Sequence, residues 1–489
     1  MIPTENPRVA LQTVSIYSII GYERTPLLRL TLEEKMKIAV INGSPKGKYS
    51  ITLQTVRYLE RKFPEHEFSV LHAGQTIRAL ERDFSAAREL LSTADAVIFS
   101  YPVYTFLAPS QLHRFIELMK ACGVDMTDKY ATQISTSKHF YDVTAHKYVE
   151  ENALDMGMRY IRGLSADMED LLSERGRSDA EKFFERFLWS VENGVFTRSE
   201  ESRAAFIPSA ATLPDTECEK TERDVVIITD ECDPESNLSR MIERFRRVLG
   251  YTTRVVNIDE YPFSGGCLGC FRCAVSERCV YKDGFDAFLR DNIQRADAIV
   301  YAFTVRDHSM GSRFKMYDDR NFCNGHRTVT VGMPVGYIVS GEYSRENNLR
   351  TVIEARSETG GNFLSGVATD ERDADAAVDI LARSLAFALE TKHTAPANFY
   401  GVGGMKIFRD LIYQMRGMMR ADHRFYKKQG IYDFPQKKRI TSAKMYLVGM
   451  LLSNEKILAK MGNKMNEGML MPYEKLFEKM DEEEKRAKK

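Results

Sequence analysis

Positions 42–52 read N-G-S-P-K-G-K-Y-S-I-T, which brings hydroxyls, lysines and turn formers into one short stretch. Gly43 and Pro45 force a turn, and Gly47 lets the backbone approach a ligand closely. Ser44, Ser50 and Thr52 offer hydroxyls; Lys46 and Lys48 offer positive charge. An apolar run at 38–41 precedes the stretch and an amphipathic run at 53–59 follows it, so the order is strand, tight turn, helix start. The new helix adds free N–H groups and the positive end of its dipole. Together these suit a phosphate monoester. A second chemistry-bearing group lies far downstream, where Cys267, Cys270, Cys273 and Cys279 make C-x2-C-x2-C-x5-C. Cubane clusters take four thiolates from tight runs of this kind. Structural zinc more often uses two C-x2-C knuckles separated by a longer span. Spacing alone leaves zinc and free thiols open.

Positions 100–110, S-Y-P-V-Y-T-F-L-A-P-S, follow the apolar run 96–99. With the first stretch they resemble the NAD(P)H-dependent FMN reductases, a branch of the flavodoxin-like fold. That family carries G-S-P-R and S-N-T after its first strand and a P-x-Y loop after its third. Here the first reads Gly43-Ser44-Pro45-Lys46 with Ser50-Ile51-Thr52, and the second Pro102-Val103-Tyr104. Lys46 replaces arginine, and Ile51 replaces asparagine and so removes a polar group near the phosphate. The resemblance implies FMN, with Ser44, Lys46, Ser50, Ile51 and Thr52 around the phosphate and Pro102, Val103, Tyr104 and Thr105 against the isoalloxazine. The cysteine spacing resembles the iron-sulfur flavoproteins, relatives of the same reductases. This implies a [4Fe-4S] cluster on Cys267, Cys270, Cys273 and Cys279, with Gly265, Gly266 and Gly269 supplying turns. A third loop at 135–139, S-T-S-K-H, follows the fourth strand. Ser135 and Thr136 are placed to hydrogen-bond the ring edge. His139 is a candidate proton donor, although a lone loop histidine is usually just solvated.

Around these groups, 489 residues allow two or three domains, each with its own core. Lys+Arg and Asp+Glu both total 69, so no net charge argues for nucleic acid. No run of about 18 apolar residues predicts a transmembrane helix. The N-terminus carries no secretory pattern, and the clustered cysteines argue against a disulfide framework. A cytoplasmic enzyme is the expectation.

Residues 1–35 read as an extension before the first strand. Strands are expected at 37–42, 67–72, 96–101, 131–135 and 158–163, and helices near 50–62, 85–93, 109–122, 145–156 and 179–192. This alternation predicts a parallel sheet with helices on both faces. In such sheets, ligands bind beyond the carboxyl ends of the strands, where both flavin loops fall. Residues 196–222 form a polar linker with Pro208 and Pro214.

The pattern then restarts. Val225-Val226-Ile227-Ile228 repeats the first strand at an offset of 187, and Ser236-Asn237-Leu238 repeats 50–52 at 186. The third strand and Ser312 repeat at 202, a jump of 16 explained by the cysteine-bearing insertion after the second strand. In this second unit Asp230, Glu231, Asp233 and Glu235 stand where a phosphate would go, and like charges repel it. The third-strand loop lacks P-x-Y, while 315–320, K-M-Y-D-D-R, keeps the look of the family's next helix. The second unit is expected to keep the fold and lose the flavin, unless Ser236 and Asn237 suffice. A last strand at 361–369 and a helix at 373–391 close it.

Positions 401–404, G-V-G-G, follow no strand and are set aside as a dinucleotide loop. Residues 401–489 hold 20 Lys+Arg against 11 Asp+Glu and predict helices at 405–419, 441–461 and 473–485. This basic tail is expected to pack on its own domains rather than on a membrane. The resulting architecture is α/β. It has two flavodoxin-like doubly wound parallel-sheet domains at 36–195 (FMN-binding) and 223–392 (cysteine loop), and a basic helical tail at 393–489. The expected activity is FMN-dependent NAD(P)H oxidation, with electrons passed to the cluster, a small molecule or a redox protein. Competing readings are a quinone or nitro-compound reductase with a structural cysteine loop, and a non-enzymatic electron carrier. A homodimer is left open, and no general acid or base is assigned.

Overall fold

The computed structural model describes residues 35–199, 205–433, 438–452 and 464–487. The expected extension up to residue 34, part of the linker (200–204) and the end of the expected helix 441–461 (from 453) lie outside these residues. The chain forms two compact bodies, Met1–Phe425 and Tyr426–Lys489. The first holds two α/β lobes.

In the first lobe the elements are β1 (Lys37–Asn42), α1 (Ile51–Lys62), β2 (Glu67–Leu71), α2 (Ala73–Leu80), α3 (Ser85–Thr93), β3 (Ala96–Pro102), α4 (Ser110–Ala121), β4 (Tyr130–Ser137), α5 (Asp142–Asp155), β5 (Arg159–Tyr160), β6 (Leu164–Asp167) and α6 (Glu174–Glu192). All pairings are parallel, in the order β2-β1-β3-β4-β5, with β6 also on β4. This is the flavodoxin-like strand order, whose switch point lies between β1 and β3. Alternate residues of β1 face opposite layers. Ile38 and Val40 pack with Leu53, Val56 and Phe184 of α1 and α6, while Ala39 and Ile41 pack with Leu112, Phe115 and Val149 of α4 and α5.

Of the expected strand 158–163 only Arg159–Tyr160 is formed, as β5, and β6 begins after its expected end, at Leu164. Between them Gly163 passes so close to β4 that an added Cβ would lie 2.3 Å from the Gln133 carbonyl oxygen. Helix α2 has no counterpart in the sequence reading. It is eight residues long, and its Gly74 sits where a Cβ would meet the Gly43 carbonyl oxygen at 2.2 Å.

The second lobe repeats the plan with β7 (Thr221–Thr229), α7 (Asn237–Val248), β8 (Tyr251–Asn257), α8 (Arg272–Ser276), α9 (Phe285–Phe288), β9 (Ala298–Thr304), α10 (Gly311–Arg320), β10 (Pro334–Ser340), α11 (Asn347–Gly360), β11 (Phe363–Thr369) and α12 (Ala374–Thr391). Its order, β8-β7-β9-β10-β11, is that of the first sheet. The cysteines lie in the interval between β8 and β9. Helix α4 packs on α10 and α5 on α11, and one apolar core runs through both lobes, from Ala39 and Phe115 to Phe314 and Val352. An interface that buries so continuous a core holds the lobes as one body.

The set-aside G-V-G-G lies inside α13 (Phe399–Gln414). Its glycines serve close helix packing. A Cβ on Gly404 would meet Thr359 of α11 at 2.3 Å, and one on Gly401 would meet the Glu358 carbonyl oxygen at 2.9 Å. The start of the expected tail, up to Phe425, therefore belongs to the same compact body as the lobes. The second body contains helices Arg439–Leu452 and Lys464–Ala487. Among the described residues no helix is long and apolar enough to cross a membrane.

Candidate flavin and cysteine site

The turn after β1 is built from its own polar atoms. Asn42 Nδ2 donates to the Gly47 carbonyl oxygen at 2.9 Å, and Asn42 Oδ1 accepts from Ser44 N at 3.2 Å. Gly47 has φ +54°, and a Cβ there would strike Gln75 Oε1 at 2.0 Å, so the turn requires glycine. Ser50 caps α1 by accepting from Leu53 N at 3.4 Å, and Thr52 Oγ1 meets Thr136 Oγ1 of β4 at 2.6 Å. Lys46 has no carboxylate partner among the described residues. Burial lowers its pKa, while the nearby Cys270 and Cys267 work in the opposite sense. A partly buried cation of this kind, beside helix N–H groups, is a fitting anion site.

Ser44, Lys46, Ser50, Ile51, Thr52, Pro102, Val103, Tyr104, Thr105 and Thr136 line one cavity of about 370 Å³, and Cys267, Cys270, Cys273 and Cys279 line the same cavity. Ser135 is not among them. It is fully buried on the other side of β4, with Oγ 2.7 Å from His146 Nε2. The two-residue period of the strand sends Thr136 inward and Ser135 away. His139 is half exposed and pairs with Asp142 at 2.8 Å. It is not a cavity residue.

The cysteine loop is pressed onto the first lobe. Gly269, at φ +59°, leaves room for Tyr104, whose hydroxyl would lie 2.0 Å from an added Cβ. Gln111 Nε2 donates to the Cys267 carbonyl oxygen at 3.3 Å, and Lys46 Nζ lies 5.7 Å from the Phe271 ring centroid. From the second lobe, buried Arg320 donates to the Gly265 carbonyl oxygen at 2.8 Å and forks onto Asp283 at 2.8 and 2.9 Å. Burial opposes ionisation of Asp283, but the Arg320 guanidinium outweighs it and holds the carboxyl down to about 2.

None of the cysteines is in a disulfide. No three of the loop thiols come within 4.8 Å of one another, whereas a tetrahedral zinc would hold them about 3.8 Å apart, given Zn–S bonds of about 2.3 Å. Burial raises the Cys267 thiol and pushes Cys273 to about 11. Such thiols keep their protons until a metal displaces them. Cys323 belongs to no motif of the sequence. It sits on the turn after α10, buried and lining the cavity, with burial pushing it to about 12. Its distance in sequence from the C-x2-C run hid it.

Where the turn after β1 should recur in the second lobe, Ser236 caps α7 through Ser239 N. Asn237 is held by the linker: Nδ2 donates to Ser209 O and to Asp370 Oδ2, each at 2.9 Å, and Oδ1 accepts from Ala211 N at 2.8 Å. Asn237 is thus already engaged, while Ser236 makes the same cap that Ser50 makes in the first lobe. The counterpart of the Tyr104 loop is Arg306–Ser309, bridged backbone to backbone in the same way. There His308 replaces Phe106, with Nε2 2.9 Å from Asp155 and Nδ1 2.9 Å from Glu346. Burial alone would lower His308, but the two carboxylates raise it to about 9, and burial lifts nearby Glu151 to about 7. Glu150, Asp307, Lys120 and Lys147 complete the charged surroundings.

A histidine with a raised folded pKa stabilises fully below its unfolded value, about 6.5, and loses that contribution as pH rises through about 9. Glu151 has the same sign between about 4.5 and 7. The melting temperature is therefore expected to fall from pH 6 to 9, with about 3 kcal/mol attached to His308. A scan of melting temperature against pH in the wild type and His308→Gln checks this. An equal fall in the variant would show that His308 is not the cause.

The profile of the NADPH-dependent FMN reductase family matches residues 36–168. An iron-sulfur flavoprotein of Archaeoglobus fulgidus is 24% identical over 208 residues, which cover 40% of this chain and 93% of that protein. Among solved structures, an NADH:FMN oxidoreductase in its apo form is 20% identical over 34% of this chain and 92% of its own, with a TM-score of 0.29. An NAD(P)H:quinone oxidoreductase from Methanothermobacter marburgensis is 13% identical over 34% of this chain and all of its own, with a TM-score of 0.26. The first lobe thus has the flavodoxin-like strand order, and its residues 36–168 match the profile of the NADPH-dependent FMN reductase family.

Proposed function

We propose that the chain is an NAD(P)H-dependent flavin oxidoreductase in which the first lobe binds FMN and the loop of the second lobe carries a [4Fe-4S] cluster. The observation that carries this reading is the shared cavity, lined at once by the turn after β1, the Tyr104 loop and all four loop cysteines. When bound, FMN accepts two electrons from NAD(P)H and releases them singly, chemistry suited to a one-electron neighbour. Lys46, the hydroxyls of Ser44, Ser50 and Thr52 and the first N–H groups of α1 hold the phosphate. Pro102, Val103 and Tyr104 form one wall for the ring, and Thr136 offers a hydroxyl at its edge. Cys267, Cys270, Cys273 and Cys279 ligate the cluster, and Arg320 and Gln111 fix the loop that bears them. The second lobe holds no flavin, because carboxylates and the linker occupy its turn. The acceptor is a small molecule or a redox protein.

Anaerobic mixing of the holoprotein with NADH or NADPH tests this. Rapid bleaching of the flavin band is expected, with about one FMN and about four irons per chain. Bleaching by reduced ferredoxin alone would make the protein an electron carrier. Two flavins per chain would refute the division between lobes.

A further inference from the structure

The contact between α4 and α10 repeats itself with its partners exchanged. Ser110 N donates to Asp319 Oδ2 at 2.8 Å, and Ser312 N donates to Glu117 Oε1 at 2.6 Å. Both pairs of counterparts are 202 residues apart. This is the self-complementary pattern of a two-fold interface, here between halves of one chain.

At the same offset Lys315 is the counterpart of His113, and there the exchange fails. His113 is buried and stacks on Tyr148 of its own lobe, with ring centroids 3.8 Å apart. Lys315 is buried too, but its Nζ leaves its own lobe and donates to Tyr104 O at 3.0 Å and Thr105 Oγ1 at 2.8 Å. Asp319 Oδ1 accepts from Lys315 and, at 2.8 Å, from Thr105 Oγ1, so ammonium, carboxylate and hydroxyl close a ring. Asp318 lies 3.4 Å away as a second counter-charge. A fully buried ammonium is retained only where its partners outweigh the cost of desolvation. Three of these contacts fall on one loop residue and its neighbour. That loop needs holding: Thr105 and Phe106 have φ of 40° and 73°, a region costly for side chains of their shape.

We propose that Lys315 and Asp319 are positioning residues for the flavin. The second lobe, with no flavin of its own, clamps loop 104–106 of the first lobe in the left-handed shape that presents Tyr104 and Thr105 to the cavity. Its purpose rests on the flavin reading above; its geometry does not.

The test combines Lys315→Met with Asp319→Asn, because removing one partner alone would strand a buried charge, while the amide keeps an acceptor for Ser110 N. Thr105→Val breaks the ring from the loop side with the ion pair intact, which covers a double variant that fails to fold. Glu117→Ala disturbs the mirror contact at the other end of the interface. Two quantities are read: amide hydrogen exchange at Tyr104 and Leu107 in flavin-free protein, and the Kd for FMN. These two amides bond each other's carbonyls at 2.8 and 3.1 Å, so their exchange reports loop opening. Exchange and Kd are both expected to rise at least tenfold in the double variant and in Thr105→Val, and to stay at wild-type values in Glu117→Ala. Unchanged exchange in the loop variants overturns the proposal, as does equal loosening by Glu117→Ala, which would make the effect one of the whole interface. Wild-type protein that takes up no FMN would end the flavin reading instead, and the exchange data would still judge the clamp.

Discussion

A chain with Cys270→Ser is expected to lose its iron, from about four atoms to near none, and to keep its flavin. Cluster assembly needs four thiolates, and a serine hydroxyl does not deprotonate to replace one near neutral pH. Cys270 is the exposed member of the loop set, so the change removes a ligand without opening a core. The loop itself stays seated, because Arg320, Gln111 and Tyr281 grip it through the carbonyls of Gly265, Cys267 and Gly266. Flavin retention follows from the division between lobes, since the groups assigned to the phosphate and ring come from β1, α1, β3 and β4. Iron analysis and FMN release by heat, both per chain, check the expectation. Retained iron would shift the ligand set, with Cys323 the nearest replacement in the cavity. Loss of FMN together with iron would mean that the two groups share a site more closely than the lobes suggest.

The second large effect is expected from Ser44→Ala with Ser50→Ala. A hydrogen bond to a charged group contributes about 1.5–3 kcal/mol, so two lost bonds weaken FMN binding by roughly 10²- to 10⁴-fold. Ser50 also caps α1 through Leu53 N, and loss of a cap costs about 1 kcal/mol of stability. A thermal melt of the flavin-free variant measures that part, and the remainder seen in an FMN titration is the phosphate contribution. Full flavin occupancy in the double variant would remove the phosphate from this turn.

The apolar runs that became β1, β3 and β7 were legible because a strand buried on both faces needs an unbroken β-branched stretch. Repetition at fixed offsets revealed the second lobe. Ser135 was misassigned because the loop was read as a unit, whereas the pleat sends neighbours to opposite faces. Gly163 broke an expected strand because a backbone from another part of the sheet passes beside it. Asn42, which builds the turn after β1, carried no signal beyond its place at the end of an apolar run. Arg320, Lys315 and Cys323 were invisible for a different reason. Lys315 reaches partners up to 211 residues away across the interface between lobes, and Arg320 reaches Gly265 and Asp283, 55 and 37 residues away, contacts that no local pattern encodes.

The reciprocal contact between α4 and α10 has a consequence for inheritance. Where two identical chains meet on a two-fold axis, every substitution is made at both ends at once, and a lysine that helps one loop is imposed on the other. Here Lys315 grips one end while His113 stacks quietly at the other. The tether also makes the pairing intramolecular, so the lobes stay together at any dilution. One polypeptide thereby escapes the rule of symmetry and fixes, in a single translation product, the ratio of the turn after β1 to the cysteine loop.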